Sequence, residues 1–170
     1  PNVTTKTTRT ALERNRSTIL DRYASALTNA ARHISVSSAI ARLSPATLTA
    51  LAKVTDPFPS GPIGSHSNPG EHFRQALSAI QLRVSATQSG GGVAYRHVSD
   101  FIADLRRIED ALATIDAEWL AVRHLRPIRW QAEVFGFRTV TLDVRQNSSV
   151  TTRVLHEIWA RTEPPPEYGT

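Results

Sequence analysis

Phe135-Gly136-Phe137-Arg138-Thr139-Val140-Thr141-Leu142-Asp143-Val144-Arg145-Gln146-Asn147-Ser148 is the stretch on which the fold turns. From Thr139 onward, Val140, Leu142 and Val144 alternate with Thr139, Thr141, Asp143 and Arg145. A period of two sends the two sets to opposite faces of a β-strand, one apolar and one carrying Asp143 and Arg145. In a barrel of parallel strands with helices outside, the apolar face packs on the helices. The other points inward, and Arg145 then sits at the carboxyl end, where such barrels do chemistry. A permanently charged fork at that end suits a phosphate or carboxylate. An Asp–Arg pair on an exposed strand edge fits the spacing as well, and the pattern alone leaves both readings open.

Outward from this strand the chain reads as helix. Leu12, Ile19, Tyr23, Leu27, Ala30, Ala31 and Ile34 recur at helical spacing and predict a long amphipathic helix from about Thr8 to His33. Ser44-Pro45 is a cap and first-turn pair, so a short helix runs through Leu48 and Leu51. The proline-rich stretch 56–69 is a loop. Asn68, three residues before Glu71, forms a capping-box pattern that opens a helix through Phe73, Leu77, Ile80 and Val84. Ser89-Gly90-Gly91-Gly92 ends that helix, and 89–93 is a flexible connector; without a preceding strand or a following Lys, the glycines do not make a phosphate loop. Val98, Phe101, Ile102, Leu105, Ile108, Leu112 and Ile115 form the cleanest stripe in the sequence. The next helix holds Trp119, Leu120, Leu125, Ile128 and Val134, bends near Pro127 and stops at Gly136. A last helix carries Val150, Val154, Leu155 and Ile158.

Composition sets the outer limits. With 170 residues and 40% hydrophobic content, the chain can bury a real core. No run of apolar residues is long enough for a membrane span, and no secretory signal is visible, which predicts a soluble, cytoplasmic protein with no membrane partner. Zero cysteine excludes disulfides and thiolate chemistry. The net charge of +5 raises a nucleic-acid reading, but the arginines are scattered and no basic block exceeds Arg106-Arg107. No nucleic-acid partner is expected.

The run Glu133 to Ser148 resembles the signature of the phosphoenolpyruvate carboxylase family, an FGF or FG followed by an LDxRQxS element. Gly70-Glu71-His72-Phe73-Arg74, followed by Ala79 to Val84, is similar to that family's GEPYR helix start, and Asp104-Leu105 to the opening of its "DL..I..SL" helix. Leu20 to Leu51, with Tyr23, Ala26-Leu27, the run Ile34 to Ser38 and Leu48, follows the family's order. The resemblance runs from about Ala11 to Ala160, and covers a minor, central part of a complete family member.

The resemblance implies a lyase that joins bicarbonate to phosphoenolpyruvate with Mg2+ or Mn2+ and releases oxaloacetate and phosphate. That is anaplerotic carbon dioxide fixation feeding the tricarboxylic acid cycle, by a cytoplasmic homo-oligomer, a homotetramer. In the family's mechanism bicarbonate attacks the phosphate to give carboxyphosphate and an enolate, which then captures carbon dioxide. Arg145 aligns with the LDxRQ arginine and is expected to be the catalytic electrostatic clamp. Asp143 would orient it, and Gln146 would line the site. Arg74 aligns with the last residue of GEPYR, which in some members helps bind an anionic activator at a subunit contact. His72 and Phe73 replace the motif's Pro and Tyr, and an ordinary surface arginine remains the alternative.

No metal ligand is expected in this stretch. None of the six histidines sits in the family's histidine context, with His33, His97, His124 and His156 on predicted helices and His66 in the proline loop. The family's catalytic histidine would lie upstream, and its metal-binding carboxylates and GRGG loop downstream, so the segment alone is expected to be inactive and to need the remainder of the polypeptide as partner.

The fold class is therefore mainly α: helices plus one strand, a segment of a large (β/α) barrel with extra helices. One strand cannot satisfy its own backbone, so 139–145 needs partner strands from elsewhere. Residues 1–10 and 161–170 are expected to be disordered tails around a single helical segment, 11–160. A non-catalytic helical scaffold or interaction protein derived from the carboxylase is the alternative.

Overall fold

α1 (Thr5–His33) is anchored by one stripe, Ile19, Leu20, Tyr23, Leu27 and Ala30, continued by Ile34 just past its end, all of them buried. The computed structural model describes residues 5–34, 36, 41–58, 70–139 and 148–161. The stripe begins only at Ile19, yet the helix extends back to Thr5, so residues 5–10, expected as tail, are helical. Once a nucleus is held by packing, each added residue closes a hydrogen bond at little further cost.

α2 (Pro45–Thr55) starts as the sequence predicts, with the Thr47 amide donating to Ser44 Oγ at 3.1 Å and Pro45 in the first turn. α3 (His72–Ser89) presents Phe73, Ala76, Leu77, Ile80 and Val84 to the core. Its N-cap is Glu71, which makes no side-chain capping bond, and Asn68 of the expected capping box lies outside the described residues. At the other end Gly90 adopts φ 84°, the left-handed conformation that glycine reaches without strain. The amides of Gly90 and Gly91 both donate to the Ala86 carbonyl, and that of Ala94 to Gly91. The glycine connector is thus a hydrogen-bonded turn.

α4 (Val98–Ala113) buries Phe101, Leu105, Ile108 and Leu112, and with them Asp104 and Glu109. His97, expected on a helix, is its extended N-cap residue. The helix opens at Val98, where the stripe begins, so Asp104, likened above to a family helix opening, sits within it.

The following segment is interrupted where Pro127 predicts. α5 (Glu118–Leu120) passes into a π turn, Ala121–Leu125, and then into α6 (Arg126–Phe135). Pro127 has no amide to donate and its ring would collide with the carbonyl four residues back. The wider π turn, closed by the Arg126 amide donating to Ala121, relieves both problems. Leu120, Ala121, Leu125, Ile128 and Ala132 face the core, whereas Trp119 and Val134, apolar residues of the same predicted helix, are 63% and 73% exposed.

α1 packs along α3, α2 lies against α3 and α4, and α4 packs on α6 and the π turn, which also meets α1. The chain divides into two compact units, Pro1–Val140 and Thr141–Thr170. In the second, α7 (Ser148–Trp159) is the described element, with the His156 and Trp159 rings edge to face at 6.0 Å. The division falls inside the single segment expected over 11–160. The described residues contain helices and no strand. Residues 140–145 of the predicted strand, with 146 and 147 after it, lie outside them, as do 59–69 of the loop and 162–170 of the C-terminal tail.

Candidate functional site

The described structure holds the entrance to the signature stretch. α6 ends at Phe135, and Gly136 turns the chain at φ 58°, ψ −137°. A Cβ there would meet Val98 Cγ1 at 4.0 Å, an ordinary contact, so backbone conformation rather than space requires glycine. Gly136→Ala is expected to cost about 1–3 kcal/mol, measured as a shift of the urea unfolding midpoint at constant slope.

Three contacts fix the residues around this glycine. The Tyr23 hydroxyl donates to the Gly136 carbonyl at 2.8 Å. Burial, partly offset by Arg22, pushes the Tyr23 phenol up to about 12, so it stays a donor throughout the physiological range. The Phe137 ring lies 6.0 Å from Phe101 and 6.4 Å from Tyr95, joining an aromatic cluster with Tyr23. Asn15 Oδ1 accepts from the Thr139 amide at 2.7 Å and from the Thr139 hydroxyl. α1 therefore holds the chain at both 136 and 139.

Of the two rings flanking Gly136, Phe135 is 45% exposed, whereas Phe137 is partly buried and packs against the core. Phe137→Ala is expected to cost about 2–3 kcal/mol and Phe135→Ala about 1 kcal/mol, scaled from full burial of a phenylalanine. Paired thermal melts of the two variants distinguish them.

Tyr95 links this cluster to a buried electrostatic hub. Asp104 Oδ2 accepts from Arg83 at 2.6 Å and from the Tyr95 hydroxyl at 2.9 Å, while Oδ1 accepts from Arg107 at 2.6 Å. The Arg83 guanidinium also stands 3.8 Å over the Tyr95 ring. Burial pushes the Asp104 carboxyl up, against the pull of Tyr95 and the two guanidiniums. All three partners donate, so the geometry is that of a carboxylate. Burial also raises the Tyr95 phenol far above its ordinary value. Thr87 completes the arrangement, its hydroxyl accepting from the Tyr95 amide at 2.8 Å and donating to the Arg83 carbonyl. Between α4 and α6, Glu109 pairs with Arg129 at 2.9 Å and Glu133 with Arg106 and Arg129 at 2.9 and 2.8 Å. The Arg129 bond holds the Glu133 carboxyl below its usual range.

This hub is structural in character, since both Asp104 oxygens are taken up by Arg83, Tyr95 and Arg107 and, among the described residues, no buried side-chain polar atom lacks a partner. Sequence reasoning read Asp104 only as part of a resemblance to a helix opening and missed the hub. The signal was present: Asp104 falls on the apolar stripe, three residues after Phe101 and four before Ile108.

Of the expected site residues, Arg145, Asp143 and Gln146 lie outside the described residues. Arg74 is in the first turn of α3, its side chain 45% exposed and paired with Glu71 at 3.1 Å. The structure does not bring Arg74 into the Asp104 hub. Among the described residues no group of three or more His, Asp or Glu side chains could hold a metal ion, and no helix is long and apolar enough to cross a membrane.

Comparison with known proteins bears directly on the signature. The family model for phosphoenolpyruvate carboxylase matches residues 1–170. The phosphoenolpyruvate carboxylase of Methylorubrum extorquens is 33% identical over 165 residues, covering 94% of this chain and 18% of the relative. That of Xanthomonas oryzae pv. oryzae is 32% identical over 167 residues, covering 96% and 18%. That of Burkholderia mallei is 32% identical over 180 residues, covering 95% and 17%. No solved structure matches the chain. The chain thus spans less than a fifth of the length of these relatives, and the match runs through the FGF turn and the LDVRQNS run alike: it belongs to the phosphoenolpyruvate carboxylase family.

Proposed function

We propose that this chain serves the carboxylation of phosphoenolpyruvate by bicarbonate, giving oxaloacetate and phosphate, as the central helical part of a complete carboxylase. The observation that carries the reading is the family match over all 170 residues, together with an unbroken LDVRQNS run at 142–148. In this reading Thr139 to Arg145 is one strand of a (β/α) barrel and the helices are part of its outer layer.

Arg145 is the catalytic residue. Negative charge passes among phosphate, carboxylate and enolate oxygens during the reaction, and a guanidinium fixed beside them favours the charge-shifted state over the ground state. Asp143 orients that guanidinium and Gln146 lines the site. The anchoring of 136–139 by Tyr23, Asn15 and Phe101 supports the reading, because a clamp of this kind works only when the backbone before it is fixed. Arg74, already engaged by Glu71, is the residue that would answer to an anionic activator.

Mg2+ or Mn2+ is implied by the family, and since no group of side chains among the described residues could hold it, its ligands would come from the remainder of the polypeptide. Assembly as a homotetramer and a place in the cytoplasm, supplying the tricarboxylic acid cycle, belong to the same proposal.

The test is an assay for oxaloacetate with phosphoenolpyruvate, bicarbonate and Mg2+, run on the full polypeptide that carries these residues and on residues 1–170 alone. Activity of the former and none of the latter is the expected result. Absence of activity in both would favour a scaffold that kept the carboxylase fold without its chemistry.

A further inference from the structure

The C-terminal turn of α1 and the π turn meet through two histidines. The rings of His33 and His124 stack with centroids 4.5 Å apart and planes 13° from parallel. His33 Nδ1 lies 2.8 Å from the Asn29 carbonyl. A carbonyl only accepts, so this nitrogen carries the hydrogen and Nε2 is the atom left to take a proton. Taking it leaves the Asn29 bond in place.

The pair lines a groove of about 540 Å³ with Asn29, Trp119, Leu120 and Arg123. Besides the two rings, the charged group lining the groove is Arg123 of the π turn, and Arg32 shares the last turn of α1. On the neighbouring elements, Glu109 and Asp104 of α4, Glu118 of α5 and Glu133 of α6 are engaged by arginines, and Asp110 of α4 lines a different groove. No carboxylate lines the groove among the described residues. Two protonated rings at stacking distance beside Arg123 would therefore repel with no anion built in to offset them.

We propose that the His33–His124 stack is a proton-sensitive clasp, closed across α1 and the π turn when the rings are neutral and opened when both are protonated. It is independent of the catalytic reading. Partial burial, the His33 ring and Arg123 hold His124 below the ordinary histidine value of 6.5. The sign follows from linkage: the unfolded chain takes up this proton first as pH falls. The contribution to stability is therefore complete above the ordinary value and is lost between it and the lower folded midpoint.

The experiment follows the imidazole proton resonances and the amide exchange of Ala121–Leu125 in the full 170-residue chain, from about pH 8 to about pH 5, with His33→Gln and His124→Gln alongside. Both rings are at least partly exposed, so neither variant empties a core position, and far-ultraviolet circular dichroism checks that the helices remain. In the wild type, exchange corrected for its intrinsic pH dependence should accelerate about three- to tenfold in acid. His33→Gln should raise the His124 midpoint and remove the acceleration. A His124 midpoint unmoved by that substitution, or an acceleration that survives it, overturns the clasp.

Discussion

Asp104→Ala should destabilise the fold by about 3–5 kcal/mol, the cost of removing one partner from a buried ion pair and stranding the other. Arg83 is the stranded group. Its side chain is 16% exposed, pinned between the Tyr95 ring and the Val93 carbonyl, and cannot reach bulk water without abandoning both. Arg107 is different, being 40% exposed and free to rehydrate, so Arg107→Ala should cost no more than about 1 kcal/mol. The Tyr95 hydroxyl also loses its acceptor in Asp104→Ala, and with it a hold on residues 90–97 between α3 and α4. Urea unfolding of the two variants measures the contrast. A loss below about 1 kcal/mol in Asp104→Ala would mean that the hub contributes little beyond its own desolvation cost.

The second large effect belongs to activity. In the complete carboxylase, Arg145→Ala should lower turnover by several orders of magnitude, at least about 100-fold, while leaving stability nearly unchanged. A preorganised donor aimed at developing charge acts mainly in the transition state, so the loss should fall on kcat. Arg145→Lys keeps the charge but not the planar fork, and should recover only part of the rate. Near-normal turnover in Arg145→Ala would remove the clamp role, and the family assignment would stand without it. The stability variants at Gly136 and Phe137 should give the opposite pattern, a shifted unfolding midpoint, because these residues are held by Tyr23 and the aromatic cluster.

These two predictions come from different kinds of information. Arg145 was legible as a residue type at a position in a motif, and nothing in the described coordinates was needed to name it. Asp104 appeared in the same sequence as one more helix residue. What makes it matter is Arg83 and Tyr95, 21 and 9 residues away, which only the packing of α3 on α4 and the closure of the glycine turn bring to its oxygens. Periodicity reports which face of a helix is apolar, but not which polar group will be trapped within that face or what will satisfy it.

The limits of the helices divide in the same way. Ser44 capping α2, Gly90 ending α3 and the break before Pro127 were all readable locally, because each rests on a backbone amide that is capped, redirected or absent. The exposure of Trp119 and Val134 was not, since an apolar residue at helical spacing marks a candidate for burial and the neighbour that would bury it is not written beside it. Likewise the sequence marked Phe135-Gly136-Phe137 as important without saying which ring goes inside. Tyr23 and Asn15, more than a hundred residues earlier, fix the turn and send Phe137 to the aromatic cluster. By itself, then, the sequence determined the helical pattern, the family and the charged residues of the signature, because these depend on residue type and short-range spacing. Only the tertiary structure decided which of those residues are held and by what, because side-chain hydrogen bonds and ring contacts join positions that chain order keeps far apart.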